Sequence, residues 1–197
     1  LNDAGWGHIP VLSLSAQGFE KNPGFKINFQ FIDRAVKALI IGDVLMRVLY
    51  RTRPYEDVPG SANQLYEKWN EIAGQKLLKK LPAHAYHKLI KDIIRDFDNL
   101  PLKPIKKPRV GVVGEILVKF HPTANNQIVE TIEREGAECV MPDLTDFFFY
   151  SFSTGIFRHK QLAFPGKTER NARLLVWGLE LYRRKMKKYL RKSRRFT

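Results

Sequence analysis

Residues 109–126 read RVGVVGEILVKFHPTANN. A glycine and a lone carboxylate, Gly114 and Glu115, follow a run of valines. His121, Thr123, Asn125 and Asn126 then come just before an apolar helical pattern. In open parallel sheets ligands bind beyond the carboxyl ends of the strands. The helix start that follows such a loop has free N–H groups suited to a phosphate or carboxylate. Gly114 lets a ligand approach the backbone, and Glu115 can accept a hydrogen bond or work as an acid or base. His121, Thr123, Asn125 and Asn126 can donate to a phosphate or thioester oxygen. These six are the expected substrate-binding residues, with no catalytic residue assigned. The same residues also fit a structural turn. In that reading Glu115 pairs with Lys119 or Arg109, His121 precedes Pro122 in a bend, and Asn125 or Asn126 is a helix N-cap. The stretch has neither G-x-G-x-x-G nor a P-loop, so it supports no dinucleotide or nucleoside triphosphate site.

Other constellations carry less. His84 and His87 are three apart on a helical pattern, but no third ligand accompanies them and no metal site is expected. Arg51, Arg53, Tyr55 and Glu56 follow a long helical pattern. They fit a salt-bridged helix end, or less readily an anion-binding corner at a sheet edge. Cys139 is the single cysteine, which excludes an internal disulfide and reads as a buried strand residue. No serine or cysteine nucleophile motif is present.

The elements that would position these groups follow from periodicity. IPVLSLS (9–15) reads as a buried strand and QGFEKNPGF as a loop. Residues 28–52 read as a long helix with Ile32, Ala35, Val36, Leu39 and Ile40 inward, supported by Asp33–Lys37 and Asp43–Arg47 pairs. Pro54 and Pro59 end it. Residues 61–81 form a second helix with Ser61 as N-cap and a Leu65, Trp69, Ile72 stripe. Residues 83–100 form a third, with Tyr86, Leu89, Ile90, Ile93 and Phe97 inward. After a proline-rich basic connector, a strand (Val110–Val113), a helix closed by Gly136 and a second strand (ECVMP) imply a right-handed parallel crossover. A short aromatic helix, an FPGK turn and a long helix from about 168 to 191 complete the chain. That last helix has Leu175, Leu179, Tyr182, Met186 and Leu190 on one side, with Leu174, Trp177 and Leu181 beside them. The expected fold is α/β, a mostly parallel Rossmann-like sheet in residues 1–160 with a helical insertion at about 28–100. A long basic helix (161–197) packs on it or on the remainder of a longer parent.

Of the net charge of +14, ten units belong to residues 167–197, which hold twelve basic and two acidic residues. This helix can meet an acidic protein neighbour; nucleic acid ranks second. No stretch has the ~20 apolar residues of a spanning helix, and nothing reads as a signal peptide. A cytoplasmic protein with no membrane partner is expected.

KPRVGVVGEILVKFHPTANNQIVETIEREGAECVMPDLTDFFFY resembles a segment of the acyl-CoA dehydratase activase-related proteins, relatives of the 2-hydroxyacyl-CoA dehydratases and their ATP-dependent activators. GFEKNPGF, GDVLMRVLYRTRPYE and RRKMKKYLRKSRRF also resemble that family. The resemblance implies a cytoplasmic protein of anaerobes, and a chain that is an internal fragment of the dehydratase-like region. Its partners would be the parent's remaining domains and an acyl-CoA substrate. An iron–sulfur cluster and ATP would belong to the parent and not to this fragment, since one cysteine cannot hold a cluster. The expected function is a substrate- or partner-facing domain that helps hold an acyl-CoA near an iron–sulfur site supplied elsewhere. The alternatives are a non-catalytic assembly module docking through its basic helix, or weak nucleic-acid binding.

Overall fold

A computed structural model describes residues 28–162 and 166–196, together with Asp3 and Gly5. The strand expected at 9–15, the loop after it and most of the FPGK turn lie outside them. The chain divides into two compact units, residues 1–33 and 34–197, and the core and sites described below belong to the second.

Among the described residues the expected Rossmann-like, mostly parallel sheet is not found. The fold is mostly helical, and the sheet among the described residues has two strands. These are β1 (Arg109–Gly111) and β2 (Glu138–Val140), paired in parallel with Val110 opposite Cys139. The physical reason is visible in β1. Strands of a parallel sheet are covered on both faces, yet all three residues of β1 are exposed. The main core is formed by helices instead.

Those helices are α1 (Phe29–Thr52), α2 (Ser61–Leu78), α3 (Ala83–Asp98) and α7 (Gly166–Lys192). Ile40, Ile41, Val44, Leu45 and Val48 of α1 meet Tyr86, Leu89, Ile90, Ile93 and Phe97 of α3, with Leu179, Met186 and Leu190 of α7. The α3 stripe is the one its 3–4 spacing predicts. The α1 stripe is displaced toward the C-terminus: Ile32 and Ala35 are exposed, while Lys37 is buried and donates to the Leu81 carbonyl at 2.7 Å. Ser61 is not the cap of α2. Gly60, at φ +86°, takes that position, and the Glu56 carboxylate accepts from the Gly60 and Ala62 N–H groups at 2.6 and 2.9 Å.

A second, smaller core lies between the sheet and α5 (Ile128–Arg134), built from Val129, Ile132, Ala137, Cys139 and Met141. Met46 and Tyr50 of α1 pack against it. Helix α1 therefore has one face in each core. The strand–helix–strand crossover is present, and Gly136 closes α5 as a Schellman motif. Its φ is +87°, its N–H reaches the Glu133 carbonyl, and the Ala137 N–H reaches that of Ile132.

The aromatic segment forms a full helix, α6 (Leu144–Leu162), packed along α7 as a hairpin. The boundary expected near residue 160 falls inside α6. Only Thr145 of α6 is buried, so the dense aromatic packing expected there is limited to Phe148, Phe149 and Phe152 at the edge of the main core.

Asp43, expected to pair with Arg47, instead caps α6. It accepts from the Leu144 and Thr145 N–H groups at 2.7 and 2.9 Å and from the Thr145 hydroxyl at 2.6 Å. Burial pushes its carboxyl up to about 6, although the three hydrogen bonds favour the charged form. A carboxyl whose folded-state value exceeds its unfolded one stabilises the fold fully below the unfolded value. That contribution is lost as pH rises through about 6. Relative to Asp43→Asn, the native protein should lose on the order of 2 kcal/mol of stability between about pH 4 and pH 6.5. Urea midpoints of the two proteins at several pH values check this.

Candidate functional site

The Gly114–Asn126 loop is more structured than its composition suggests. It contains a short helix, α4 (Ile116–Phe120), and Glu115 is its N-cap, accepting from the Leu117 and Val118 N–H groups at 2.8 and 3.2 Å. His121 Nδ1 accepts from the Ala124 N–H. The N-cap position of α5 is Gln127, not Asn125 or Asn126; Asn125 instead ties α4 to α5, accepting from the Ile128 N–H at 3.2 Å and donating to the Lys119 carbonyl at 3.1 Å. Asn126 sits at φ +53°, a left-handed conformation that asparagine tolerates, and Gly114 is at φ +143°. Thr123 is exposed. Of the six expected ligand-binding residues, Glu115, His121 and Asn125 thus hold the local backbone. Gly114, Thr123 and Asn126 are in the same loop without being drawn to one point.

A cleft of about 400 Å³ does lie beyond the strand ends, bordered by Gly114, Glu115, Lys119, Asp143, Asp146 and Tyr150. It holds three carboxylates and one lysine. Asp143 and Asp146 are joined to Arg183 of α7 at 3.0 and 2.7 Å. An anion here would face like charge.

The cationic site is beside it, across the face of the sheet. A cleft of about 290 Å³ runs between α1 and the two strands. Its polar rim is Arg47 and Arg51 of α1 with Arg109 of β1, and its floor includes Tyr50, Val112 and Met141. Glu138 is the single carboxylate in its wall. Arg109 binds Glu138 at 2.9 Å, Arg51 approaches it at 3.7 Å, and the Tyr55 hydroxyl donates to its other oxygen at 2.8 Å. Arg47 is held at 2.8 Å by the fully buried Asp143. Two guanidiniums therefore share one carboxylate, and a third stands beside them. Arg47, Arg51 and Arg109 keep 34, 27 and 54% of their side-chain surface exposed. A planar guanidinium with free N–H groups suits phosphate.

Around this cleft the polar cluster after α1 is a salt-bridged helix end. Arg53 makes a two-point pair with Glu133 of α5, at 2.7 and 3.1 Å. Burial raises the Glu133 carboxyl above its ordinary range despite that partner. Burial likewise raises the Tyr50 hydroxyl to about 12 and the Cys139 thiol to about 11. Tyr50 is thus a neutral wall and Cys139 an inert thiol at neutral pH. His87 lies against α7; burial, then Lys185 and Lys37, hold its imidazole below the usual range. Among the described residues no group of three His, Cys, Asp or Glu is placed to hold a metal ion, and no helix is long and apolar enough to cross a membrane. The donor set does not fit an iron–sulfur cluster, because the one thiolate source is buried and disfavoured as an anion.

Local sequence pattern does not mark Arg47, Arg109 and Glu138 as ligand contacts. A signal for the α1 edge itself is present: Asp43, Arg47 and Arg51 recur every fourth residue, a charged edge on the largely apolar second half of α1. Comparison with protein-family models, curated proteins and solved structures gives no match.

The loop's role separates from the cleft's by mutation. Asn125→Ala should cost about 1 kcal/mol of stability through loss of its two hydrogen bonds, to Lys119 and Ile128, read as a lower urea midpoint. Glu115→Gln, which keeps an acceptor oxygen, should stay within about 0.5 kcal/mol of the native protein.

Proposed function

We propose that this chain is a ligand-facing helical domain of a protein related to the 2-hydroxyacyl-CoA dehydratases and their activators. It binds the anionic part of an acyl-CoA along the Arg47–Arg51–Arg109 cleft. The observation that carries this reading is the excess of guanidinium over carboxylate in a cleft also lined by the apolar Val112 and Met141. Coenzyme A thioesters combine phosphates with an uncharged arm that ends in an acyl group, and a cleft with cationic and apolar walls matches that chemistry. The resemblance of residues 107–150 to that family supports the substrate class. Chemistry on the acyl group, with its iron–sulfur cluster and ATP-driven activation, belongs to other domains of a cytoplasmic parent protein. This domain contributes binding and orientation.

Calorimetric titration with coenzyme A and an acyl-CoA, at low and high salt, tests the reading. Saturable acyl-CoA binding is expected. Each charge-assisted contact is worth roughly 1.5–3 kcal/mol, so Arg51→Ala or Arg109→Ala should weaken it about tenfold or more. Glu115→Gln should leave it unchanged. Absence of binding at millimolar ligand, or affinity that depends on Glu115 and not on the arginines, overturns it.

A further inference from the structure

The buried stripe of α7 (Ala172, Leu179, Met186, Leu190) faces α3 and α6. A second stripe runs along the same helix on its outward side. Leu174, Trp177 and Leu181 are 59, 62 and 46% exposed. Arg184 and Lys188 continue the same 3–4 spacing and are exposed. This is the spacing at which one helix packs along another. The stripe borders two hollows. One, of about 400 Å³, lies beside Arg170, Leu174 and Trp177; the other, of about 720 Å³, lies beside Leu181, Arg184 and Lys188. Lys185, Arg191 and Lys192 also border the second, against a single acid, Glu180, which is already bound by Lys187 at 2.7 Å.

The structure points to this outward stripe as a docking surface, and we infer that its occupant is an acidic amphipathic helix of a partner protein domain. Its apolar residues would cover Leu174, Trp177 and Leu181, and its carboxylates would face Arg184, Lys188 and their neighbours. Charge complementarity selects this occupant. A second copy of the chain would bring one cationic stripe against another. A helix lying on a lipid surface has an apolar stripe along its length with cations at its margins. Here the apolar part spans about two turns and the cationic part follows it along the axis, so a matching surface must change character in the same order. A nucleic-acid duplex would match the cations but not Trp177 and the two leucines. The cleft at Arg51 and Arg109 is on other elements, so this inference does not depend on acyl-CoA binding.

The test is selection of helix-forming 16-residue peptides from a display library against the native protein. The expected winners carry apolar residues at i, i+3 and i+7 in one half and glutamate or aspartate at helical spacing in the other. Their binding should fall at least tenfold with Trp177→Ala, an exposed position whose variant is checked for native circular dichroism. Arg184→Glu with Lys188→Glu should shift the preferred residues in the second half from acids to lysine and arginine. The inference is overturned if no helical family is enriched, if enrichment is indifferent to Trp177 and to the charge reversal, or if Trp177 governs binding to anionic vesicles, duplex DNA or a second copy in place of peptide.

Discussion

One charged edge of α1 holds the two cores in register. Asp43, Arg47 and Arg51 follow one another at four-residue intervals, and each reaches a different element. Asp43 fixes the start of α6, Arg47 holds Asp143 just before it, and Arg51 faces Glu138 of β2. Asp143 and Glu138 are 0 and 5% exposed at their side chains. A buried carboxylate left without its cation costs 3–5 kcal/mol, whereas exposed pairs such as Lys88–Asp92 are worth under about 1 kcal/mol. The buried contacts therefore decide where the sheet and the hairpin sit, and the surface pairs do not.

The cationic cleft is a consequence of the same edge. Arg51 and Arg109 converge on Glu138 because β2 must be neutralised where it meets α1. A single carboxylate cannot satisfy two guanidiniums and a tyrosine hydroxyl. The remaining N–H groups are left at the rim, over an apolar floor supplied by the small core. The contacts that hold the fold and the proposed anion site thus arise from one arrangement. Arg183 of α7 reaches Asp146 and the same Asp143 that holds Arg47, so the basic helix is tied to the chain through part of its charge. Arg195 similarly donates to the Leu100 carbonyl at 2.6 Å. The cations left outward, with Trp177 between leucines, face away from these ties.

Much of the helical architecture is legible from periodicity. The Tyr86–Phe97 stripe, the end of α1 near Pro54 and the Gly136 closure of α5 all follow from local rules. The sheet was not, because strand signals of three or four residues do not say how many strands will pair. The valines of 110–113 imply burial that β1 does not have. Glu115 and Asn125 were visible as residues with two readings, and the choice depended on backbone N–H groups two or three residues away. The Arg47–Arg51–Arg109 cleft needs α1 brought against β1 across about sixty residues of chain, which no local pattern encodes. The cap from Glu56 to α2 was hidden for a simpler reason: Ser61 is the more familiar capping residue, but Gly60 has the required conformation.

The most direct measurement is amide hydrogen exchange by mass spectrometry, with and without a saturating acyl-CoA. If the cleft is the ligand site, protection should rise in peptides covering residues 44–52 and 108–113, while residues 114–127 and α7 exchange as before. Protection confined to 114–127, or to the basic face of α7, would contradict the account and return the ligand to the loop or to non-specific polyanion binding.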